Sequence, residues 1–468
     1  MFVPAIYYKN IVDYGIDNSG ATDVSISLSS LLSTGGYWIA PPGTYKISSP
    51  INISKANTTF IGSGNGTIIQ GSPTFSGTAF FNITANFVIL QKMQLNFASS
   101  LTLTNPAANG IEITSAQAVV IEDIYAQYIN GYLVESVGGV QANYNTKLSR
   151  VRGFQCLAGF HLKGVTASGF GGIHQVSDCY ANQTQGGDCW LIEDFLDLEA
   201  TNIFGEPAVG VNGRSFHIKG NCNAIHVTNF DLGLFPGPTN QECLFIEGDA
   251  NGSPTHINFS NGIIEGGNPG GLVVNAGSLM NFSNINFYNN AKFGVNFAGG
   301  SSIAVKNCTF DGNGSVAQAG SSDFQSAATN NVILEGCSFV TPFGVGAGQV
   351  SSCINDQTFT TNCINCGFVG TGFVGNTLRI FNGFPRTIRS SQGFPIAGSL
   401  GYTPSGSPFT TPVQSFDHAL YVSGGAVTQI SVQGTVTGLT SGTFFLPSGA
   451  TAVITYTVAP TLAALVFL

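Results

Sequence analysis

A short pattern that returns along the chain restricts its fold more than anything else. It appears as LQKMQL, IEDIYA, LSRVRG, VSDCYA, ATNIFG, VTNFDL, FSNGII, FSNINF, VKNCTF, LEGCSF and CINCGF. Each copy reads apolar, any residue, turn residue, apolar, any residue, apolar. The turn residues are Gly62, Lys92, Asp123, Arg150, Asp178, Asn202, Asn229, Asn261, Asn284, Asn307, Gly336 and Asn365, spaced by about 27.5 residues on average. Asn and Asp dominate this set, and they are the non-glycine residues that best tolerate a left-handed backbone. Two places earlier every residue is apolar, including Phe60, Leu90, Ile121, Phe259, Phe282, Val305 and Leu334. Three places after the last four anchors come Phe287, Phe310, Phe339 and Phe368. Alternation with a period of two on both sides of a one-residue bend describes strand, bend, strand.

A unit of this size cannot bury its apolar face alone, so copies must stack. The expected fold is all-β: a right-handed parallel β-helix of about twelve rungs. At the strand spacing of about 4.8 Å the shaft would be roughly 55 Å long. Open ends of such a coil expose core and unpaired strand edges. Val24, Leu28, Leu31 and Leu32 fall at helical spacing before the Gly35-Gly36 stop, which predicts a short helix acting as a lid. Strands at 37–40 and 44–47 then start the coil. The expected organisation is a cap over 1–48, the β-helix over 49–385, a Pro/Gly/Ser-rich linker over 386–412 and a small antiparallel β-sandwich over 413–468.

Several function classes drop out early. Only 8% of residues are charged and the net charge is −9, so the Lys and Arg clusters that bind nucleic acid are missing. No apolar run approaches the ~18 residues of a membrane span. The first residues, MFVPAIYYKN, lack the charged and apolar regions of a signal peptide. Sequons such as Asn52 and Asn57 follow from the Asn/Ser/Thr-rich composition. Cys179, Cys308, Cys337 and Cys366 share one inward column and Cys363 occupies another, which predicts buried free thiols rather than disulfides or zinc ligands. No cofactor and no metal is expected.

A second strand per repeat is typified by GYLVE, GFHLK, CWLIE, SFHIK and CLFIE. Its last position reads Glu135, Lys163, Glu193, Lys219, Glu247, a ladder of alternating sign. Two places earlier Leu133, His161, Leu191, His217, Phe245 and Val273 form a stripe expected to face outward as a subunit contact. The two histidines read as polar groups of that contact rather than metal ligands.

Four places after the anchor, successive rungs carry Asn182, Glu206, Gly233, Glu265, Tyr288 and Asp311. Glu206 and Glu265 on alternate rungs would sit about 10 Å apart, just above the 6.5–9.5 Å of an inverting glycosidase pair. Asp231 on the intervening rung is the third candidate catalytic carboxylate. One group would donate a proton while another activates water. Tyr288 and Asp311 are the candidate sugar contacts. The alternative is that these carboxylates are simply solvated. Asp188, Glu193, Asp194, Asp197 and Glu199 form a second acidic group, with Arg214 and Lys219 as the basic residues a lyase site would need.

VDYGIDNSGATD, the helix, APPGTYKISSPINI and NTTFIGSGNGTII together resemble the opening segment of pectate-lyase-like β-helices, especially phage tailspikes. Val24 stands where that family commonly has a second acidic residue. The resemblance implies a homotrimeric spike on the virion surface, made in the host cytoplasm, that recognises host surface polysaccharide and contacts other virion proteins. A depolymerase of the glycoside hydrolase or lyase kind is the alternative, and a ligand-free stalk the second. The C-terminal stretch resembles small β-modules at the ends of viral spikes. Asp417 and His418 are its only acidic or basic side chains.

Overall fold

The computed structural model describes residues 8–97, 106–138, 143–165, 174–233, 241–314, 321–327, 330–341, 352–356, 361–368, 379–382, 387–389, 400–412, 418–446 and 449–466. The repeats form a parallel coil. One face is a long sheet whose strands bend at the anchors, as in Thr255–Glu265 and Ser278–Tyr288. The other is a thirteen-stranded parallel sheet running from Ile51–Ile53 to Arg379–Asn382. Phe259, Phe282, Val305, Leu334 and Cys363 pair in register, one directly over the next. The expected core column is therefore present.

The anchors explain why Asn recurs. From Lys92 to Asn365 every anchor has φ between 51° and 64°, the left-handed region that Asn, Asp and Gly enter at least cost. Gly62 serves differently. A Cβ there would lie 2.2 Å from the Lys92 carbonyl oxygen, so glycine is needed for close approach between rungs.

Inside, aromatic side chains pile up. Phe287 and Phe310 stack at 5.0 Å, and Phe310 and Phe339 at 4.7 Å. Phe160 and Trp190 stack at 4.0 Å. Such pairs contribute about 0.5–1.5 kcal/mol each beyond area burial. Phe368 continues the ladder by backbone pairing with Phe339, while its side chain lies outside the described set. All ten cysteines are buried and free, and burial pushes the Cys156 and Cys179 thiols up to about 12.

The lid is the helix Ser25–Leu32. Val24, Leu28 and Leu32 are buried and Leu31 packs against the same core. Polar side chains pin the lid. Asp23 accepts from the Ser25 amide at 2.9 Å and the Ser48 amide at 3.3 Å. Ser29 accepts from the Asn52 amide at 3.0 Å, tying the helix to the first strand of the second sheet. Asp17 accepts from the Ser19 and Thr22 amides. GIDNSGATD is thus a structural clamp.

Two expectations about the second sheet need correction. Glu135 pairs with His161 rather than with Lys163, so the ladder in register is Lys163, Glu193, Lys219, Glu247. The stripe is not an exposed surface. Leu133 is fully buried within the strand Tyr132–Val137, and the register sets it between Gly110 and Gly159 on the adjacent rungs. His161, His217, Phe245 and Val273 are all under 9% exposed. Tyr132 covers His161 at 4.9 Å between rings, and the Arg214 guanidinium covers Phe245 at 4.2 Å.

The C-terminal part has its own core of Leu420, Val422, Ile430, Leu446, Ile454 and Leu462, between two four-stranded antiparallel sheets. Leu400–Tyr402 and Phe409–Thr410, within the stretch read as a linker, pair with strands Thr461–Val466 and Ala452–Val458. Asp417 lies outside the described residues, and only the backbone of His418 is described. Among the described residues no helix is long and apolar enough to cross a membrane.

Candidate functional site

Two places after each anchor, a side chain points outward from the bent sheet. Tyr125, Arg152, Tyr180, Phe204, Asp231 and Ile263 occupy this place on consecutive rungs and pair in register. Together they line a groove of about 770 Å³ that runs along the shaft, with Asn202, Asn229 and Asn261 at its edge. Tyr125 and Arg152 also line an adjoining hollow of about 590 Å³ with Lys92, Asp123 and Arg150. The groove is therefore apolar and aromatic in the middle, basic towards one end and acidic towards the other.

The cations differ in availability. Arg150 is held by Glu122 and Asp123, both at 2.5 Å. Arg152 lies over the Tyr180 ring at 4.8 Å, and neither it nor Lys92 makes an ion pair among the described residues.

The expected carboxylate column is in register. Asn182 pairs with Glu206, Gly233 with Glu265, Glu265 with Tyr288, and Tyr288 with Asp311. Glu206 follows the Gly205–Leu232 pair, which sets it beside Gly233. Asp231 lines the groove itself, one rung and two residues from both glutamates. From strand spacings of about 4.8 Å across and 3.3 Å along, each diagonal is about 8 Å between Cα atoms. Gly233, at φ 146°, has no room for a side chain, because a Cβ would meet the Glu265 carbonyl oxygen at 2.0 Å.

All three carboxyls titrate above their ordinary values. Burial raises Glu206, and the charges of Asp231 and Glu265 add to it. Burial raises Asp231. Burial and then the Asp231 charge raise Glu265. No Lys, Arg or His contributes to any of these shifts. The cluster can therefore hold and release a proton near the groove.

Tyr288 and Asp311 lie one and two rungs beyond Glu265, half-buried, and do not line the groove. Sequence reasoning missed Tyr125, Arg152, Tyr180 and Phe204. Their signal was a run of aromatic residues at one outward position of an otherwise polar exterior.

Of the second acidic group, Asp188, Glu193 and Asp194 are engaged at the other sheet, whereas Asp197 and Glu199 are exposed on the bent-sheet strand Leu196–Pro207. His161 bridges Glu135 at 2.9 Å and Glu193 at 3.2 Å, and His217 bridges Asp188 at 2.9 Å and Glu247 at 3.1 Å. Arg214 pairs with Glu242 at 3.2 Å, and Lys219 lies 3.7 Å from Glu193. Oxygens of Glu193, Asp194 and Asp249 converge within 4.8 Å, the spacing of a cation site. Asp194, however, accepts from the Asn221 amide and the Asn251 side chain, and Asp249 from the Asn251 amide. These oxygens close a turn.

Known proteins share this architecture. Residues 8–171 match the family model described as rhamnogalacturonase A/epimerase, pectate lyase-like, and residues 239–364 match that for a right-handed β-helix region. No curated protein sequence gives a significant match. Two A-modules of mannuronan C-5 epimerases from Azotobacter vinelandii superpose with TM-score 0.56 at 14% identity, over 82% and 83% of this chain and 99% and 100% of theirs. The N-terminal fragment of bacteriophage phi29 gene product 12 superposes with TM-score 0.56 at 14% identity, over 83% of this chain and 71% of that one. The strands, their register and both family matches agree: the chain folds as a right-handed parallel β-helix, and its first third matches the pectate-lyase-like model.

Proposed function

We propose that this β-helix is a phage spike-type protein that recognises host surface polysaccharide in its axial groove, as a homotrimer on the virion. The single observation that carries this reading is the groove lined by Tyr125, Arg152, Tyr180, Phe204 and Asp231 on five consecutive rungs. A polymer needs a site extended in one direction, and successive sugars meet flat aromatic faces with polar groups between them. A pyranose spans about one rung, so the groove faces a run of sugars. The family and neighbours are consistent with this: one model is named for a rhamnogalacturonase, two neighbours are named for mannuronan epimerases, and a third comes from a phage.

The raised carboxyls favour a second reading, that the same groove cuts the glycan it holds. Asp231 lines the acidic end of the groove, and Glu206 and Glu265 stand on the two flanking rungs, just outside its lining. A protonated member would donate to the glycosidic oxygen as the bond to the anomeric carbon breaks. An ionised member would take a proton from the water that attacks that carbon.

Binding of the intact protein to capsular and exopolysaccharides tests the first reading. Tyr180→Ala should weaken binding at least tenfold with the fold intact. Failure of every polymer to bind would leave the ligand-free stalk. Release of reducing ends tests the second reading, and product that persists undiminished in both Glu206→Gln and Glu265→Gln would remove these residues from catalysis.

A further inference from the structure

The charge pattern of the groove, given the reading that it holds a polysaccharide, says which kind. The Arg152 guanidinium lies over the Tyr180 ring, exposed and without an ion pair among the described residues, and it borders both hollows. Its planar donors match a carboxylate, phosphate or sulfate. Beyond the Tyr180 rung the picture reverses over three rungs. The Phe204 strand carries Glu206, the following strand carries Asp231, and the Ile263 strand carries Glu265.

We propose that the groove selects a linear heteropolysaccharide with sparse negative charge, placing one anionic sugar against Arg152 and uncharged sugars over the three rungs beyond Tyr180. A polyuronate, charged on every sugar, would press carboxylates against Asp231 in the groove and bring them near Glu206 and Glu265 on the flanking rungs, where no Lys, Arg or His among the described residues offsets them. A neutral polymer would leave Arg152 without its partner. Arg152 is thus the specificity-determining residue, and the acidic end acts against densely charged chains by repulsion.

Three oligosaccharide pools of equal length test this by calorimetry on the full chain at low salt. They are gellan, whose tetrasaccharide repeat carries one carboxylate; polygalacturonate, with one on every sugar; and pullulan, with none. The gellan pool should bind at least tenfold more tightly than either of the others. Arg152→Gln should bring it to the level of pullulan. In the unaltered protein, added salt should erase the gellan advantage, since exposed charges are screened. If polygalacturonate binds as well as gellan, or Arg152→Gln leaves gellan binding intact, the charge pattern is wrong while the groove remains a glycan site. If none of the three binds, the groove reading falls and this inference falls with it.

Discussion

Two clusters of carboxylates, one on each sheet of the same shaft, have opposite environments. On the thirteen-stranded sheet, hydrogen bonds from His161 hold Glu135 below its ordinary value. The same imidazole, with Lys163 and Lys219, holds Glu193 down to about 2. Burial works against the His161 imidazolium, yet its bonds to Glu135 and Glu193 outweigh this and keep its pKa raised. On the bent sheet, Glu206, Asp231 and Glu265 are buried to a similar degree with no cation, and all three are raised. The first arrangement joins rungs by charge-assisted hydrogen bonds. The second opposes folding, and uncompensated charge kept beside a groove is what a working site requires. The same residue type is paired with cations in one place and left without them in the other, and its neighbours decide which.

The largest expected effect separates the two by activity. If the groove cuts glycan, Glu206→Gln or Glu265→Gln should lower reducing-end release about 100-fold or more, while Glu247→Gln on the other sheet leaves it near its starting rate. Thermal melts should show both groove variants at least as stable as the parent.

Stability should separate them with opposite sign. His161→Leu leaves Glu135 and Glu193 partly buried with a partner lost, at a cost of about 3 kcal/mol in denaturant titrations. Asp231→Asn relieves repulsion and should gain about 0.5–1 kcal/mol. A loss on Asp231→Asn would mean that the groove carboxylates are stabilising after all.

The pH profile sharpens the contrast. The lowered Glu135 and Glu193 contribute stability that is complete above their ordinary value of 4.5 and is lost as pH falls, for Glu193 towards about 2. The raised His161 contributes below its ordinary value of 6.5, and that is lost as pH rises through its folded pKa. The raised groove carboxyls bind protons more tightly when folded, so their contribution grows as pH falls towards their ordinary range and is lost as pH rises. Denaturant melts should therefore show greatest stability in mildly acidic solution. His161→Leu should flatten the decline at higher pH, and Asp231→Asn should flatten part of the decline from mildly acidic to neutral pH.

The smallest effect concerns two turn columns. Asn229 at an anchor and Leu279 at the bend before another both have left-handed φ, 53° and 54°. Asn229→Ala should cost about 1 kcal/mol and Leu279→Asn should gain about the same, since only Asn tolerates that backbone readily. Equal effects would show that strand pairing, not residue type, carries both bends.

This second turn column also shows what could be read from the sequence. The anchors were legible because Asn and Asp mark a backbone that other residues avoid. The preceding bends hold Asn57, Asn145, Asp197 and Asn331 but also Phe87, Ala118, Ala224, His256, Leu279 and Ser302 in the same conformation, and this mixture hides the column in the sequence, since neighbouring rungs impose the bend against residue preference at most of its places. The register of Glu206, Gly233, Glu265 and Tyr288 followed from counting from the anchors. Glu135 was misplaced by two residues because such a slip keeps the same face outward, so polarity does not reveal it. The groove escaped because its aromatic rings stand two residues from the carboxylates, and a depth shared by two columns appears only once the strands twist and bend.

The most direct test of the account is a carboxyl-carbon NMR titration of the folded protein, with assignments from single Glu→Gln and Asp→Asn variants. Glu206, Asp231 and Glu265 should titrate above the ordinary carboxylate range, and Glu135 and Glu193 below it. If all five titrate at their ordinary values, or if Glu206 titrates below Glu193, the division of the shaft into a paired and an unpaired charge cluster is contradicted.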